Sequence, residues 1–320
     1  MTSPGAPVAR AALRVLICCA LVSCRRDAPR APLRPSAVLW FGGDVHVGTN
    51  VSALFERSSL TAELAGAYGF VNLEGAVVEG AGASTAERLV NDRRALASLR
   101  ASGVRVASIA NNHADDDGPG SRSRSAARVR SAAIEPVGER DEPVVTEPAP
   151  GLRVAWVALD LRRGESRSFR ALFARMRSLA PVRVLSLHVT APPLYSPPPA
   201  ELRAAVREAV DERVTIVVAH GTHTIAPITR DRETLIAWGL GNLLFSCACS
   251  RETEGLVLRA TVDARGVVAA DVAPLEAGLD GRAARFGGEE GASFALLRAL
   301  DVQTRADAGA LAAPLSLFSR

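Results

Sequence analysis

The chain has 320 residues, and its 38 basic and 34 acidic residues give a net charge of +4. Most of this charge lies in residues 1–36, which carry +5, so the remainder is almost neutral at −1. With 4% aromatic residues and no basic stripe in the body, the composition argues against a nucleic-acid-binding protein. The length allows one large α/β domain or two small ones.

Residues 1–24 have the pattern of a secretory signal peptide. Two arginines precede an apolar run at 15–22, which is too short to span a bilayer as a mature helix. The run ends in Leu-Val-Ser-Cys, which resembles the processing box of bacterial lipoproteins and makes Cys24 the expected lipidation site. Residues 25–36 are rich in Pro and Arg and predict an extended tether. We therefore expect a lipid-anchored protein of the cell envelope, with an ordinary signal or a buried helix as alternatives.

Strands alternate with helices over the rest of the chain, which predicts an α/β fold. Strands are expected at 37–43, 69–73, 104–110, 134–137, 152–159, 182–187, 214–219, 235–240, 255–262 and 267–272. Helices are expected at 51–65, 85–102, 121–133, 166–179, 199–212 and near 294–300. The stretches 141–150 and 190–199 are interpreted as long loops, the second of them rich in proline.

All five histidines stand where a predicted strand ends. They are His46, His113, His188, His220 and His223. In an open α/β sheet, ligands bind beyond the carboxyl ends of the strands, so these imidazoles should meet at one rim. A single histidine is most often structural, but five at strand ends favour a metal or catalytic site. Imidazole together with carboxylate suits zinc, manganese or iron.

Carboxylates reach the same rim. Asp44 and His46 stand two residues apart, and the glycines around them let the backbone turn so that both side chains reach one ion. Glu74 follows the next strand and has the chemistry to bridge two ions, although a solvated turn residue is the alternative. His188, His220 and His223 supply nitrogen ligands from two further strands. A two-metal site of this kind would activate water for attack on phosphorus or a carbonyl.

A third motif, Asn-Asn-His, follows the strand expected at 104–110. The side-chain oxygen of Asn112 is a candidate metal ligand, and His113 is placed to face the substrate as a general acid. Asp116 is placed to orient that imidazole. A polar turn that caps the next helix is the alternative interpretation.

Cys247 and Cys249 stand two residues apart near the predicted end of a strand. This spacing would strain a disulfide between them. We interpret them as two small residues at a strand end, with a metal-binding role as the alternative.

In their order along the chain, these motifs resemble the poly-gamma-glutamate capsule-synthesis (CapA) family, a branch of the calcineurin-like metallophosphatase superfamily. The motifs are Gly-Asp-Val-His-Val-Gly, Asn-Leu-Glu-Gly, Ala-Asn-Asn-His-x-x-Asp-x-Gly, Ser-Leu-His, His-x-x-His and Gly-Leu-Gly-Asn-Leu-Leu-Phe. The resemblance covers residues 37–275 and leaves 276–320 as a C-terminal extension. It implies a four-layer sandwich in which two central β-sheets are flanked by helices.

The resemblance also implies a site with two divalent metal ions, of manganese, zinc or iron. The implied ligands are Asp44, His46, Glu74, Asn112, His188 and His223, and His220 remains a further candidate from its place at a strand end. His113 matches the catalytic histidine of the family. Two departures stand out: Val-Thr-Ala-Pro follows His188 where the family usually has Trp-Gly-x-Glu, and Ala219 and Thr222 replace a Gly and a Pro in the last histidine motif.

The expected function is a metal-dependent hydrolase in capsule or cell-envelope polymer metabolism. Its expected substrate is an anionic polymer of the poly-gamma-glutamate type or a phosphoester. The alternative is a non-catalytic protein of the same fold that binds or exports such a polymer, which the missing Trp-Gly-x-Glu element favours. A nucleotide or nucleic-acid phosphodiesterase fits the superfamily but not the near-neutral body of the chain.

Overall fold

A computed structural model describes residues 34–48, 64, 66–80, 84–161, 168–190, 198–247, 250, 252–279, 284–286 and 291–306. The expected signal peptide with Cys24, most of the tether, most of the helix at 51–65 and most of the Pro-rich loop at 190–199 lie outside the described residues. Of residues 301–306 only the backbone is described.

The described residues form seventeen strands and five helices. The strands are β1 (Ser36–His46), β2 (Tyr68–Leu73), β3 (Ala76–Val78), β4 (Val90–Asp92), β5 (Val104–Ser108), β6 (Glu135–Val137), β7 (Val144–Ala149), β8 (Leu152–Asp160), β9 (Val182–His188), β10 (Ile216–His220), β11 (Ile228–Asp231), β12 (Thr234–Ala237), β13 (Asn242–Phe245), β14 (Glu254–Asp263), β15 (Gly266–Glu276), β16 (Gly278–Leu279) and β17 (Arg285–Phe286). The helices are α1 (Ala95–Ala101), α2 (Ser121–Ser131), α3 (Arg170–Leu179), α4 (Ala200–Asp211) and α5 (Ala292–Ala306).

Two large sheets contain most of the strands. The first has the order β17-β15-β14-β1-β2-β5-β6, and β13 pairs in parallel with the last residues of β1. Within it β1, β2, β5 and β6 are parallel, so their carboxyl ends share one edge. The second sheet has the order β11-β12-β10-β9-β8-β7, with β8, β9, β10 and β12 parallel.

Side chains from both sheets form one shared core between them. Phe70 of the first sheet stacks on Trp156 of the second, with ring centroids 5.6 Å apart, and Phe41 lies 6.3 Å from the same indole. Residues 154–159 of strand β8 are all apolar because both faces of the strand are covered: Val154 and Trp156 face this core while Val157 faces the other side. A strand covered on both faces has no polar alternation.

Helices cover the outer face of each sheet. Leu96 and Leu99 of α1 and Val129 of α2 pack on the first sheet. Phe173 of α3 and Leu202 of α4 pack on the second. The molecule is thus a four-layer α/β/β/α sandwich, and the fold expected from the sequence is confirmed.

The described residues after 275 pack against the two-sheet sandwich and extend its first sheet. The predicted boundary falls one residue before the end of β15, and β16 and β17 then join the first sheet. Leu297 and Leu300 of α5 pack into the core between the sheets. Among the described residues, no helix is both long and apolar enough to cross a membrane.

Two predicted elements are wrong in type. Residues 85–102 do not form one helix, because their first half contains β4, which pairs in parallel with β3, and only the second half forms α1. Residues 141–150 contain β7 rather than a loop. Pro148 lowers the strand propensity there, but β7 is the edge strand of its sheet, where proline is tolerated.

Candidate metal centre

The ends of four strands supply the polar side chains of the site. Asp44 lies near the end of β1, and Glu74 directly follows the neighbouring strand β2, where its backbone N–H donates to Val45 O. In the second sheet, His188 and His220 end two adjacent parallel strands and lie side by side in register. The two sheets therefore bring carboxylates and imidazoles to the same rim.

Asp44, Glu74 and His223 form the centre of the cluster. Each offers one ligand atom, and these atoms all lie within 4.8 Å of one another. His223 Nδ1 lies 3.3 Å from Asp44 Oδ2, and His223 Nε2 lies 3.7 Å from Glu74 Oε1. The two carboxylates are almost fully buried, while the His223 side chain is 22% exposed.

His188 and His220 join this centre from the second sheet. His220 Nδ1 lies 3.3 Å from Asp44 Oδ1, and His188 Nε2 lies 3.8 Å from Glu74 Oε1. Both imidazoles are buried, yet neither their ring nitrogens nor Glu74 Oε2 make a hydrogen bond within the described part of the chain. Leaving a buried polar group unsatisfied costs about 1–3 kcal/mol. Buried nitrogen and carboxylate donors of this kind fit a divalent metal ion.

Backbone and amide groups hold Asp44 in place. Asn72 Nδ2 donates to Asp44 Oδ1 over 2.9 Å, and the backbone N–H of Gly221 donates to Asp44 Oδ2 over 3.1 Å. Asn111 in turn donates to Leu73 O and Asn72 Oδ1. Asn72 and Asn111 were not predicted as supports from the sequence, although both lie in its polar motifs.

Asn242 supports His223 in a similar way. Its Oδ1 lies 2.9 Å from His223 Nδ1, and its Nδ2 donates to Ser250 Oγ. The ring of Phe245 meets the His223 ring edge to face at 4.9 Å. His223 adopts a left-handed φ of 57°, a backbone conformation that β-branched residues rarely adopt. The turn therefore restricts the types of residue that can occupy this position.

The pKa values of the buried carboxylates and imidazoles at the candidate metal centre depend on one another. Burial alone would raise the pKa of Asp44, but the imidazoles of His220, His223 and His188 lower it well below the usual range. Burial lowers the pKa of His188, but Asp160, Glu74 and Asp44 outweigh this and raise it to about 9. The pKa of His223 is also raised, because Glu74 and Asp44 outweigh its burial.

The structure does not bring His46 into the central group of ligand atoms. Strand β1 continues to His46, and its Nε2 lies 3.0 Å from Ser84 Oγ and 3.2 Å from Val90 O. Its Nδ1 lies 3.4 Å from Ser246 Oγ. Burial lowers the pKa of His46 to about 4, and the charges of Glu74 and His113 act on the same ring.

His113 and Asp116 form a close pair beside this site. His113 Nδ1 lies 2.7 Å from Asp116 Oδ2, and the same oxygen accepts the backbone N–H of Leu89. Asn112 lies half-buried in the same turn, directly before His113. His113 follows β5, the parallel neighbour of β2, which places it on the same edge of the sheet as Glu74.

Asp160 is a member of the site that was not predicted from the sequence. Its Oδ1 lies 3.8 Å from His188 Nδ1, and its side chain is only 1% exposed. A signal was present, because Asp160 directly follows the strand predicted at 152–159, as the histidines follow theirs.

The interpretation of Cys247 as merely a small residue at a strand end is wrong. Cys247 is disulfide-bonded and packs against Leu89 and Phe245. Its neighbour Cys249 lies outside the described residues.

Two sheets between helices, with carboxylates and imidazoles converging at the strand ends, form a metallophosphatase-like sandwich. Residues 38–247 match the family model described as bacterial capsule synthesis protein PGA_cap. Since the match covers more than half of the chain, the protein belongs to this family. The family resemblance noted in the sequence is thereby confirmed.

Solved structures share the fold at low sequence identity. A hypothetical protein from Thermus thermophilus is 16% identical, with a TM-score of 0.52 over 75% of this chain and 99% of that one. A novel phosphatase from Mycoplasma pneumoniae is also 16% identical, with a TM-score of 0.50 over 77% of this chain and 96% of that one. At such identities the likeness shows the fold alone. No curated protein matches the chain.

Proposed function

We propose that this protein is a metal-dependent hydrolase that acts in capsule or cell-envelope polymer metabolism. Its proposed substrate is a phosphoester or an anionic polymer of the poly-gamma-glutamate type. One observation carries the proposal: ligand atoms of Asp44, Glu74 and His223 lie within 4.8 Å of one another, beside the His113–Asp116 pair.

The residues that would hold the metal come from both sheets. They are Asp44, Glu74, His188, His220 and His223, and the sequence adds His46 and Asn112 as further candidates. Divalent ions, of which we propose two, would act as Lewis acids toward the substrate and the attacking water. Burial of the carboxylates excludes bulk water, which strengthens their interaction with a cation.

His113 is the proposed general acid. Its Nδ1 is engaged by Asp116, so Nε2 is the ring nitrogen left to exchange a proton with the substrate. The carboxylate orients the imidazole through Nδ1, and Leu89 N–H holds that carboxylate in place. His113 would therefore donate the Nε2 proton to the leaving oxygen as the scissile bond breaks.

The test combines metal content with turnover. The full chain is purified, loaded with manganese or zinc, analysed for bound metal, and assayed with bis(p-nitrophenyl) phosphate and with poly-gamma-glutamate. Bound metal together with release of nitrophenol or shortened polymer supports the proposal, provided that His113→Ala lowers the release about 100- to 10,000-fold. A protein that binds no metal above background contradicts it.

One observation favours the non-catalytic alternative. Val-Thr-Ala-Pro follows His188 in the sequence, so this chain has no acidic residue where the family usually has the Glu of Trp-Gly-x-Glu. If the metal-loaded protein retains poly-gamma-glutamate on a column but hydrolyses neither substrate, the polymer-binding function replaces the hydrolase.

We also propose that the protein is exported and held at the membrane by lipid on Cys24, in the periplasm or at the outer surface. The support is the sequence pattern of residues 1–24 alone, because this segment lies outside the described residues. A membrane location fits an enzyme that meets its polymer as the polymer leaves the cell.

A further inference from the structure

Three parallel strands of the second sheet end in one row of polar residues. The register pairs Asp160 of β8 with His188 of β9, and His188 with His220 of β10. Two residues earlier the same row reads Ala158, Ser186 and Val218, and Ala158 and Val218 belong to the core between the sheets. Because side chains alternate along a strand, Asp160, His188 and His220 point to that same inner face.

The imidazole of His188 therefore lies between two carboxylates. Glu74 Oε1 lies 3.8 Å from Nε2, and Asp160 Oδ1 lies 3.8 Å from Nδ1. All three side chains are at most 2% exposed, so bulk water has little access to them. Glu74 belongs to the central group of ligand atoms, whereas Asp160 faces the other ring nitrogen.

We propose that Asp160 is a positioning residue for the metal centre: it accepts the Nδ1–H of His188, so that Nε2 is the nitrogen presented to the metal beside Glu74. This inference rests on the proposed function, because it assigns a metal to the site. It adds a residue that neither the histidine motifs nor the family resemblance identified.

The chemistry of imidazole explains why such a residue is needed. A neutral imidazole carries its proton on either nitrogen, and the hydrogen bond made by one nitrogen decides which one binds the metal. Histidines that ligate metals usually donate their other N–H to a carboxylate or carbonyl, and this contact fixes the ring. His188 Nδ1 makes no hydrogen bond within the described residues, and Asp160 Oδ1 faces it over 3.8 Å, so we assign this role to Asp160.

Burial of Asp160 supports the same conclusion. A carboxylate removed from water is costly unless a cation or N–H compensates for the lost hydration. The adjacent position on β8 is apolar, since Leu159 packs under the helices on the other face. A buried aspartate at the end of this strand therefore needs compensating partners, and His188 Nδ1, 3.8 Å from Asp160 Oδ1, is one of them.

The first measurement is metal affinity. Asp160→Asn keeps the size of the side chain but removes its charge, and we expect it to weaken zinc binding about 10- to 100-fold by calorimetry. Asp263→Asn is the matched control, because Asp263 is also buried but pairs with Ser36 at the opposite end of β1 from Asp44. The control should bind zinc as the wild type does. Equal unfolding midpoints of the metal-free variants would show that both fold.

The second measurement is independent of turnover and of affinity. With only five histidines, the ring nitrogens are resolved by 15N NMR of histidine-labelled protein, and His188→Gln identifies the His188 signals. In the zinc-loaded wild type we expect His188 to bind through Nε2 and to keep its proton on Nδ1. In Asp160→Asn the Nδ1 proton should exchange faster.

Two results would overturn the inference while leaving the proposed function intact. One is a wild type that binds zinc through His188 Nδ1. The other is Asp160→Asn binding zinc within about twofold of the wild type with an unchanged Nδ1 signal. Failure of the wild type to bind any zinc would instead overturn the proposed function and this inference together.

Discussion

The backbone N–H of Gly221 donates to Asp44 Oδ2 over 3.1 Å and joins the two sheets at the candidate metal centre. The two residues are 177 positions apart. Gly221 adopts a left-handed φ of 95°, and it lies against the His188 ring. Gly221 therefore orients the Asp44 carboxylate and, because it has no side chain, leaves room for the His188 imidazole.

Gly221→Ala should damage the metal centre. A Cβ there would lie 2.4 Å from Val189 O and 2.7 Å from His188 Nε2, so the ring must move. We expect zinc affinity to fall about tenfold or more, as for other changes that disturb ligand orientation.

The control is Gly80→Ala, because Gly80 has a φ of 72° but a Cβ added there would meet no atom within 4 Å. It should cost about 1–2 kcal/mol of stability and leave zinc binding unchanged. Equal affinity in both variants would refute the steric argument.

Alanine substitutions of His113 and His223 should have different effects on turnover and metal content. His113 pairs with Asp116, whereas His223 contacts both central carboxylates. General acid catalysis contributes about 100- to 10,000-fold, so His113→Ala should lower turnover by that factor with metal content near the wild type. His223→Ala should lose metal as well as activity. If His113→Ala strips the metal, or leaves turnover intact, the role assigned to His113 is wrong.

Much of the site follows from one rule applied to the sequence. Polar residues at the ends of parallel strands meet at one edge, and this rule places Asp44, Glu74, His188 and His220 together. The same rule covers Asp160, which was overlooked because it lies in no histidine motif. Its partner became apparent only from the register of β8 and β9.

Other features depend on contacts that sequence spacing does not reveal. Strand β13 pairs with the end of β1 although almost 200 residues separate them, and this pairing brings Asn242 to His223. His46 stands two residues from Asp44, but its nitrogens meet Ser84, Val90 and Ser246 instead of the central group. In both cases the position of the side chain depends on tertiary contacts, and the local sequence pattern does not predict these contacts.

The proposed lipid anchor predicts a change in the location of the Cys24→Ser variant. Cys24→Ser removes the thiol on which a diacylglycerol would be placed, so the precursor should remain unprocessed or the protein should appear in the soluble fraction. Two acyl chains give stable anchoring where one does not, so the change should be complete. Fractionation with labelled palmitate measures it. Unchanged processing and labelling of the variant would rule out Cys24 as the lipidated residue.

Metal binding should release protons near neutral pH. The carboxylates around His188 raise its pKa to about 9, so this imidazole carries an extra proton at pH 7 in the metal-free protein. A metal ligand must be deprotonated, so zinc binding should release about one proton or more, and affinity should rise toward pH 9. Calorimetry in buffers of different ionisation enthalpy measures the number. Asp263→Asn should leave it unchanged, because Asp263 pairs with Ser36 at the opposite end of β1 from Asp44.

The stability of the metal-free protein should fall on the alkaline side. The pKa of His188 is about 9 in the folded protein and 6.5 in the unfolded chain, so its stabilising contribution is full below pH 6.5 and is lost as the pH rises through 9. A shift of this size corresponds to at most about 3 kcal/mol. Urea unfolding in the presence of a chelator, at pH 6 and at pH 9.5, measures the change. In His188→Gln the difference between the two pH values should shrink by that amount. A variant as sensitive to alkaline pH as the wild type would show that His188 is not the titrating group.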